Sequence, residues 1–259
     1  MKPKRYSSEP LAFAAEKGKT LPGNFDWFST DSEDKFEKFS IQHKGYWNQK
    51  GPIKYDFNSY GFRSKEEFPE EVCRDSITFL GCSNTVGIGL HKENTWPYLL
   101  AKEMNLKEIN LGISAGSLDA SFRVYNAWKH IKSKYVCILT PPTTRYETYI
   151  DHPSIYPGRR WVNTGPWSMQ DHTDDPIEVK EHFSHMLAKE IQEVREDRNM
   201  FAIQYLAEKN DSKLIVLKLH TALAKHDYTR DNDYARDNAH PGEGWNLAVK
   251  NIFMDKINE

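Results

Sequence analysis

Two short stretches of this chain carry residue types and spacings suited to covalent chemistry. In the first, an apolar run at residues 76–80 (Ser-Ile-Thr-Phe-Leu) leads straight into Gly81-Cys82-Ser83-Asn84-Thr85-Val86-Gly87. A serine on a tight strand-to-helix turn presents its hydroxyl at the edge of a sheet. The helix N-terminus then places backbone N–H groups and a positive dipole end beside it. That geometry suits a nucleophile, and the N–H of Ser83 is itself a donor for an oxyanion. A helix-capping role is the plainer alternative for Ser83. In the second stretch, Asp237-Asn-Ala-His240-Pro241-Gly242, an acid and an imidazole stand three residues apart. On a turn they can meet, so that the carboxylate holds one ring nitrogen and leaves the other free as a base. A surface turn with a capping Asp is the alternative there. A serine joined to an oriented histidine is what acyl transfer needs.

The elements that must position these residues alternate between strand and helix from residue 75 onward. Strands are expected at 76–80, 107–112, 135–139 and 213–218, and helices at 93–104, 119–132, 177–209 and 244–257. Pro97 fits only a first helical turn. Phe122, Tyr125, Ala127 and Ile131 make an apolar stripe on the second helix. Such alternation predicts a parallel sheet covered by helices on both faces, with ligands bound beyond the carboxyl ends of the strands. Residues 1–40 are polar and lack clear periodicity, with one short helix expected near 31–39. Residues 54–63 read as a short strand or extended loop. Residues 143–176 are aromatic and punctuated by Pro and Gly, which suggests a lid-like insertion.

A strand followed by Gly-x-Ser-x-Thr near the start, with Asp-x-x-His near the end, resembles the SGNH (GDSL-type) hydrolase family over about residues 75–259. The resemblance implies a flavodoxin-like three-layer α/β/α sandwich with a parallel sheet, with residues 1–74 as an arm packed on it. It implies Ser83 as nucleophile, Asp237 and His240 as the rest of a triad, and the Ser83 N–H as an oxyanion donor. Asn110-Leu-Gly-Ile-Ser-Ala-Gly116 looks like the family's second block. That implies Gly116 as another oxyanion donor, with Ala115 or Gly112 as alternatives in register. Two departures stand out. Cys82 occupies the place of the first block's usual Asp. Thr140-Pro-Pro-Thr143-Thr144-Arg145 stands where the family has Gly-x-Asn-Asp, so an oxyanion-binding Asn is missing, a loss worth about 10²–10³ in rate in another hydrolase. Asn58-Ser-Tyr-Gly-Phe-Arg63 resembles a stretch that precedes the nucleophile strand in some SGNH-like proteins, which puts Arg63 near the site.

The residues expected to touch substrate are Asn84, Arg63, Arg145, Trp161 and Trp167, with Tyr149 and Tyr156 as further aromatics of the insertion. The expected activity is a serine esterase, O-deacetylase-like, acting on a small acyl ester, with acetate on a glycan favoured. An acyltransferase with the same triad, a degenerate binding module and a metal-dependent phosphoesterase are the rivals. A net charge of -2 gives no electrostatic footprint for bulk nucleic-acid binding. No apolar run reaches the roughly 18 residues of a membrane span. No Gly-x-Gly-x-x-Gly or P-loop stands in the chain, and no cofactor is expected. The three cysteines (Cys73, Cys82, Cys137) form no zinc or disulfide pattern. The Asp/His-rich stretch with His220, His226, Asp231, Asp233 and His240 has no ligand-pair spacing, so no metal is expected either. The N-terminus lacks an apolar leader segment, which sets a cytoplasmic expectation.

Overall fold

A computed structural model describes residues 23–149, 161–166, 181, 184–229 and 232–259. The described chain opens with β1 (Gly23–Phe25), α1 (Glu33–Phe36), α2 (Ile41–Lys50) and β2 (Tyr55–Phe57), with β1 and β2 paired antiparallel. Then come β3 (Ser76–Leu80), α3 (Ser83–Val86), α4 (Trp96–Glu103), β4 (Lys107–Asn110), α5 (Leu118–Trp128) and β5 (Tyr135–Thr140). An antiparallel pair, β6 (Tyr146–Tyr149) and β7 (Trp161–Thr164), precedes α6 (Lys189–Lys209), β8 (Lys213–Lys218), α7 (Leu219–Lys225) and α8 (Glu243–Asn258).

The central sheet has the order β4-β3-β5-β8, with every pairing parallel. Both faces are covered, so its strands read as near-continuous apolar runs. Ile77, Phe79, Cys137, Leu139, Ile215 and Leu217 pack on one side with Trp96 and Leu100 of α4 and Trp245, Val249 and Phe253 of α8. Leu80, Ile109, Val136 and Ile138 point the other way, against Val124, Tyr125 and Trp128 of α5 and Ile203 and Ala207 of α6. Period-two alternation along each strand makes this a three-layer α/β/α sandwich. Pro97 sits in the first turn of α4, where its missing N–H costs nothing.

The structure adds elements that periodicity did not reveal. Helix α2 buries only Trp47, so it lacks an apolar stripe; Ser40 caps it by accepting the His43 N–H at 3.2 Å, and Gly51 at φ +80° ends it. The 143–176 stretch, expected as a loop, contains the β6–β7 pair. It is anchored on α5 by a buried pair in which Arg123 donates to Glu147 at 2.7 and 2.8 Å.

The N-terminal elements make a small apolar cluster of Phe36, Trp47, Ile53, Tyr55 and Phe57, completed by Leu90 and Ala235. Those two residues come from the segments that follow Ser83 and precede Asp237.

Candidate active site

The strand order reverses at β3: the chain goes to β4 on one side, then crosses to β5 on the other. The carboxyl ends of β3 and β5 therefore form the switch-point crevice where open parallel sheets bind ligands. Ser83 follows the end of β3 by three residues and opens α3. Gly81 makes the turn at φ +151°; a Cβ there would lie 2.2 Å from Thr85 Oγ1 and 2.8 Å from the Leu139 carbonyl oxygen. The helix-capping alternative for Ser83 does not hold, because Cys82 occupies the cap position and Ser83 is the first helical residue. Cys82 is only 1% exposed, with its thiol turned into the interior. Neither Oγ nor N–H of the buried Ser83 has a hydrogen-bond partner among the described residues.

Side chains from elsewhere hold this turn. Asn110 donates to the Thr85 carbonyl at 2.9 Å and accepts from the Gly112 N–H at 3.0 Å. The Ile113 N–H reaches the Gly81 carbonyl at 3.1 Å. Arg63 is buried against the stretch just after α3. Its guanidinium donates to the carbonyls of Val86 (3.1 Å), Gly87 (2.5 Å) and Leu90 (2.7 Å) and stacks on the Tyr55 ring at 4.4 Å. The substrate-binding expectation for Arg63 is thus corrected. Backbone carbonyls take up its Nη donors and an aromatic face covers it, so it holds the loop that follows Ser83.

Asp237 and His240 meet as their spacing suggests. Asn238 takes a left-handed conformation (φ +51°), which folds the chain back so that Asp237 Oδ1 accepts the N–H groups of Ala239 (3.1 Å) and His240 (3.0 Å). Asp237 Oδ2 lies 2.6 Å from His240 Nδ1 and also accepts the Thr30 hydroxyl at 2.6 Å. Burial of Asp237 opposes its charge. The hydrogen bond and charge of His240, the Thr30 hydroxyl and the His240 N–H outweigh that, and hold the carboxyl below its ordinary range.

The residue before the acid is tied down as firmly. Arg236 Nη2 donates to Asp31 Oδ2 at 2.6 Å and its Nε to Asp31 Oδ1 at 2.9 Å, while its guanidinium lies 3.9 Å from the Trp27 ring centre. Tyr55 donates to the same Asp31 oxygen at 2.6 Å and accepts the Gly89 N–H at 2.7 Å. The Arg236 N–H donates to the Gly89 carbonyl, and a Cβ on Gly89 would lie 3.1 Å from the Asp237 nitrogen. On the opposite side Ser29 and Ser114 share a 2.7 Å hydroxyl contact. A closed ring of contacts thus runs from Gly81 through Ile113, Ser114, Ser29, Thr30 and Asp237 to Gly89. Ser83 lies on the Gly81–Gly89 arc of that ring, and His240 follows Asp237 by three residues. The Ser83–His240 hydrogen bond itself is not made, and His240 Nε2 has no partner among the described residues. Such bonds are often open before substrate binds.

The other expected site residues fare differently. The Gly116 N–H donates to the Ile113 carbonyl at 2.9 Å, in a turn set by Ala115 at φ +57°. That bond removes Gly116 as an oxyanion donor. Gly112 is spent on Asn110, so of the three alternatives only the Ala115 N–H has no partner among the described residues. Asn84, next to Ser83 in the chain, keeps a buried amide oxygen without a hydrogen-bond partner among the described residues. Arg145 lies with Asp119, Gln192 and Arg195 around a small cavity between the β5–β6 connection and α6. Trp161 is half-buried, and its ring lies 4.9 Å from the Arg123 guanidinium. Trp167, Tyr156 and Asp231 lie outside the described residues. In the segment lacking the family's Asn, the Thr143 hydroxyl is directed to Gln192 at 3.2 Å.

Sequence reasoning missed Thr30. Its Oγ1 lies 3.4 Å from His240 Nδ1 as well as on Asp237, and no local pattern marks it. Thr30→Val removes one hydrogen bond to a buried carboxylate, a contribution of about 1.5–3 kcal/mol. The Asp237 carboxyl, held below its ordinary value, adds stability that is full above about pH 4 and is lost as pH falls through its folded value. The variant should be less stable than the wild type in urea at neutral pH. That gap should narrow on acidification below about pH 4, as the carboxyl protonates in both proteins. A constant gap would mean that the hydroxyl does not act through the Asp237 charge.

No family model and no curated protein matches this chain. One solved structure, a candidate lipolytic protein of the G-D-S-L family from Desulfitobacterium hafniense DCB-2, is similar at 15% identity and a TM-score of 0.35. The match covers 71% of this chain and 99% of that one, and at that TM-score it bears on neither activity nor substrate. Among the described residues, no three His, Cys, Asp or Glu side chains are arranged to hold a metal, and no helix is long and apolar enough to cross a membrane.

Proposed function

We propose that this chain is a serine esterase acting on a small acyl ester, with an O-acetylated glycan as the favoured substrate class. The observation that carries the reading is the 2.6 Å contact between Asp237 Oδ2 and His240 Nδ1. The contact keeps the proton on Nδ1, so Nε2 is free to act as base. As Ser83 Oγ bonds to the ester carbonyl, its proton passes to Nε2. The oxyanion is received by the N–H groups of Ser83 and Ala115. Nε2 then protonates the departing alkoxide, leaving an acyl-Ser83. Water attacks that ester and gives a proton to Nε2, which passes it to Oγ as the C–Oγ bond breaks, releasing the acid and restoring Ser83 and the neutral imidazole. Asp237 stays ionised throughout and supports the imidazolium.

A fluorophosphonate tests this without knowledge of the substrate. It should add once, at Ser83 Oγ with loss of fluoride, in the presence of a chelator, and the adduct should vanish in Ser83→Ala. The absence of any adduct on folded protein would overturn the reading in favour of a binding module, which the donor-less Pro141–Pro142 pair would suit. An adduct mapped to another residue would overturn it as well.

A further inference from the structure

Two turns meet through their side chains, and each has a non-glycine residue at a left-handed position. The first is the tip of a tight hairpin. Phe28 and Asp31 exchange backbone hydrogen bonds at 2.9 and 3.1 Å, which leaves Ser29 and Thr30 between them. Ser29 has φ +60° and Thr30 a negative φ, the pattern of a type II′ turn, where glycine is the usual residue at Ser29's place. The second is the Ile113–Gly116 turn, closed by the Gly116 N–H on the Ile113 carbonyl. Ala115 has φ +57° and Ser114 a negative φ, the pattern of a type II turn, again with glycine expected at the left-handed place.

That pattern decides where the Ala115 N–H points. Types I and II differ by a flip of the central peptide, here the one joining Ser114 to Ala115, so a type I turn would direct this N–H to the opposite side. An alanine favours type I, because the left-handed region crowds its Cβ against a carbonyl oxygen. The turn and the residues leading into it also pack on both sides of Ser83. The Ile113 N–H donates to the Gly81 carbonyl at 3.1 Å, and a Cβ on Gly112 would lie 3.1 Å from the Thr85 carbonyl carbon. The disfavoured peptide is restrained from outside the turn: Ser29 Oγ lies 2.7 Å from Oγ of Ser114, the residue that begins it. Neither hydroxyl has another hydrogen-bond partner among the described residues.

We propose that Ser29 is a positioning residue, whose hydroxyl holds the Ser114–Ala115 peptide so that the Ala115 N–H is offered to the oxyanion. A serine where the hairpin itself favours glycine fits that role. Thr30, its neighbour, donates to Asp237, so one hairpin tip sets the oxyanion donor and the acid–base pair together. The inference rests on the esterase reading.

Ser29→Gly tests it, since glycine accepts φ +60° and only the hydroxyl is lost. For an aryl ester, kcat should fall about three- to tenfold, the worth of one hydrogen bond, with KM unchanged. A trifluoromethyl ketone, whose adduct with a serine carries the oxyanion, should bind more weakly by the same factor. Ala115→Gly added to Ser29→Gly should restore kcat, because glycine takes the left-handed place without help. Wild-type kcat in Ser29→Gly, a matching rise in KM, or a loss that Ala115→Gly does not restore would each overturn the proposal. A fluorophosphonate control separates the two readings. Without a Ser83 adduct on the wild type both fall; with one, the outcomes above bear on Ser29 alone.

Discussion

Ser83→Ala should lower kcat/KM for a short-chain aryl ester by about 10⁴-fold or more, the scale set by removing a triad serine elsewhere. The fold should survive, because Ser83 Oγ makes no hydrogen bond among the described residues and its removal leaves no partner unsatisfied. Circular dichroism and thermal unfolding should therefore superpose on the wild type. His240→Ala should cost a similar factor, and the double variant little more than either single one, because the two residues act as a unit. The activity that remains reports the N–H groups of Ser83 and Ala115 alone. If Ser83→Ala keeps its activity, the triad is wrong. Cys82 would be a poor replacement, since its thiol is buried beneath the turn.

The second large effect concerns stability. Asp31→Ala should destabilise the protein by about 3–5 kcal/mol, because it leaves Arg236 a buried charge with no carboxylate, held only by the Asp26 carbonyl and the Trp27 ring. Arg236 and Asp31 are among the most buried charged side chains, at 7% and 1% exposure, so solvent screens them little. Tyr55 loses its acceptor in the same step, and the Gly89 N–H that Tyr55 holds loosens with it. For a chain of this size the midpoint should fall by roughly 6–20 °C, readable by differential scanning calorimetry. Asp31→Leu combined with Arg236→Met removes both charges and should recover much of the loss, as such replacements do where packing is kept. Activity should drop with Asp31→Ala beyond what unfolding explains, because Arg236 precedes Asp237 and anchors its loop to Gly89. Wild-type stability in Asp31→Ala would show that the N-terminal elements merely rest on the sandwich.

Much of this protein is written in local sequence. The runs that became β3, β5 and β8 are apolar on both faces, and a strand covered on both sides needs that composition. The Gly81–Ser83 turn and the Asp237–His240 contact are also local. The first depends on a glycine that leaves room for Thr85, the second on an Asn able to take a left-handed turn.

Tertiary structure decided the rest. Thr30 meets Asp237 across 207 positions and Asp31 meets Arg236 across 205, and no periodicity extends over such distances. Arg63 looked available to a ligand until the carbonyls after α3 closed around it. Gly116 looked like an oxyanion donor until the turn at Ala115 directed its N–H to Ile113. The chemical type of a residue can be read from the chain, but a donor is free or occupied only once its neighbours have packed.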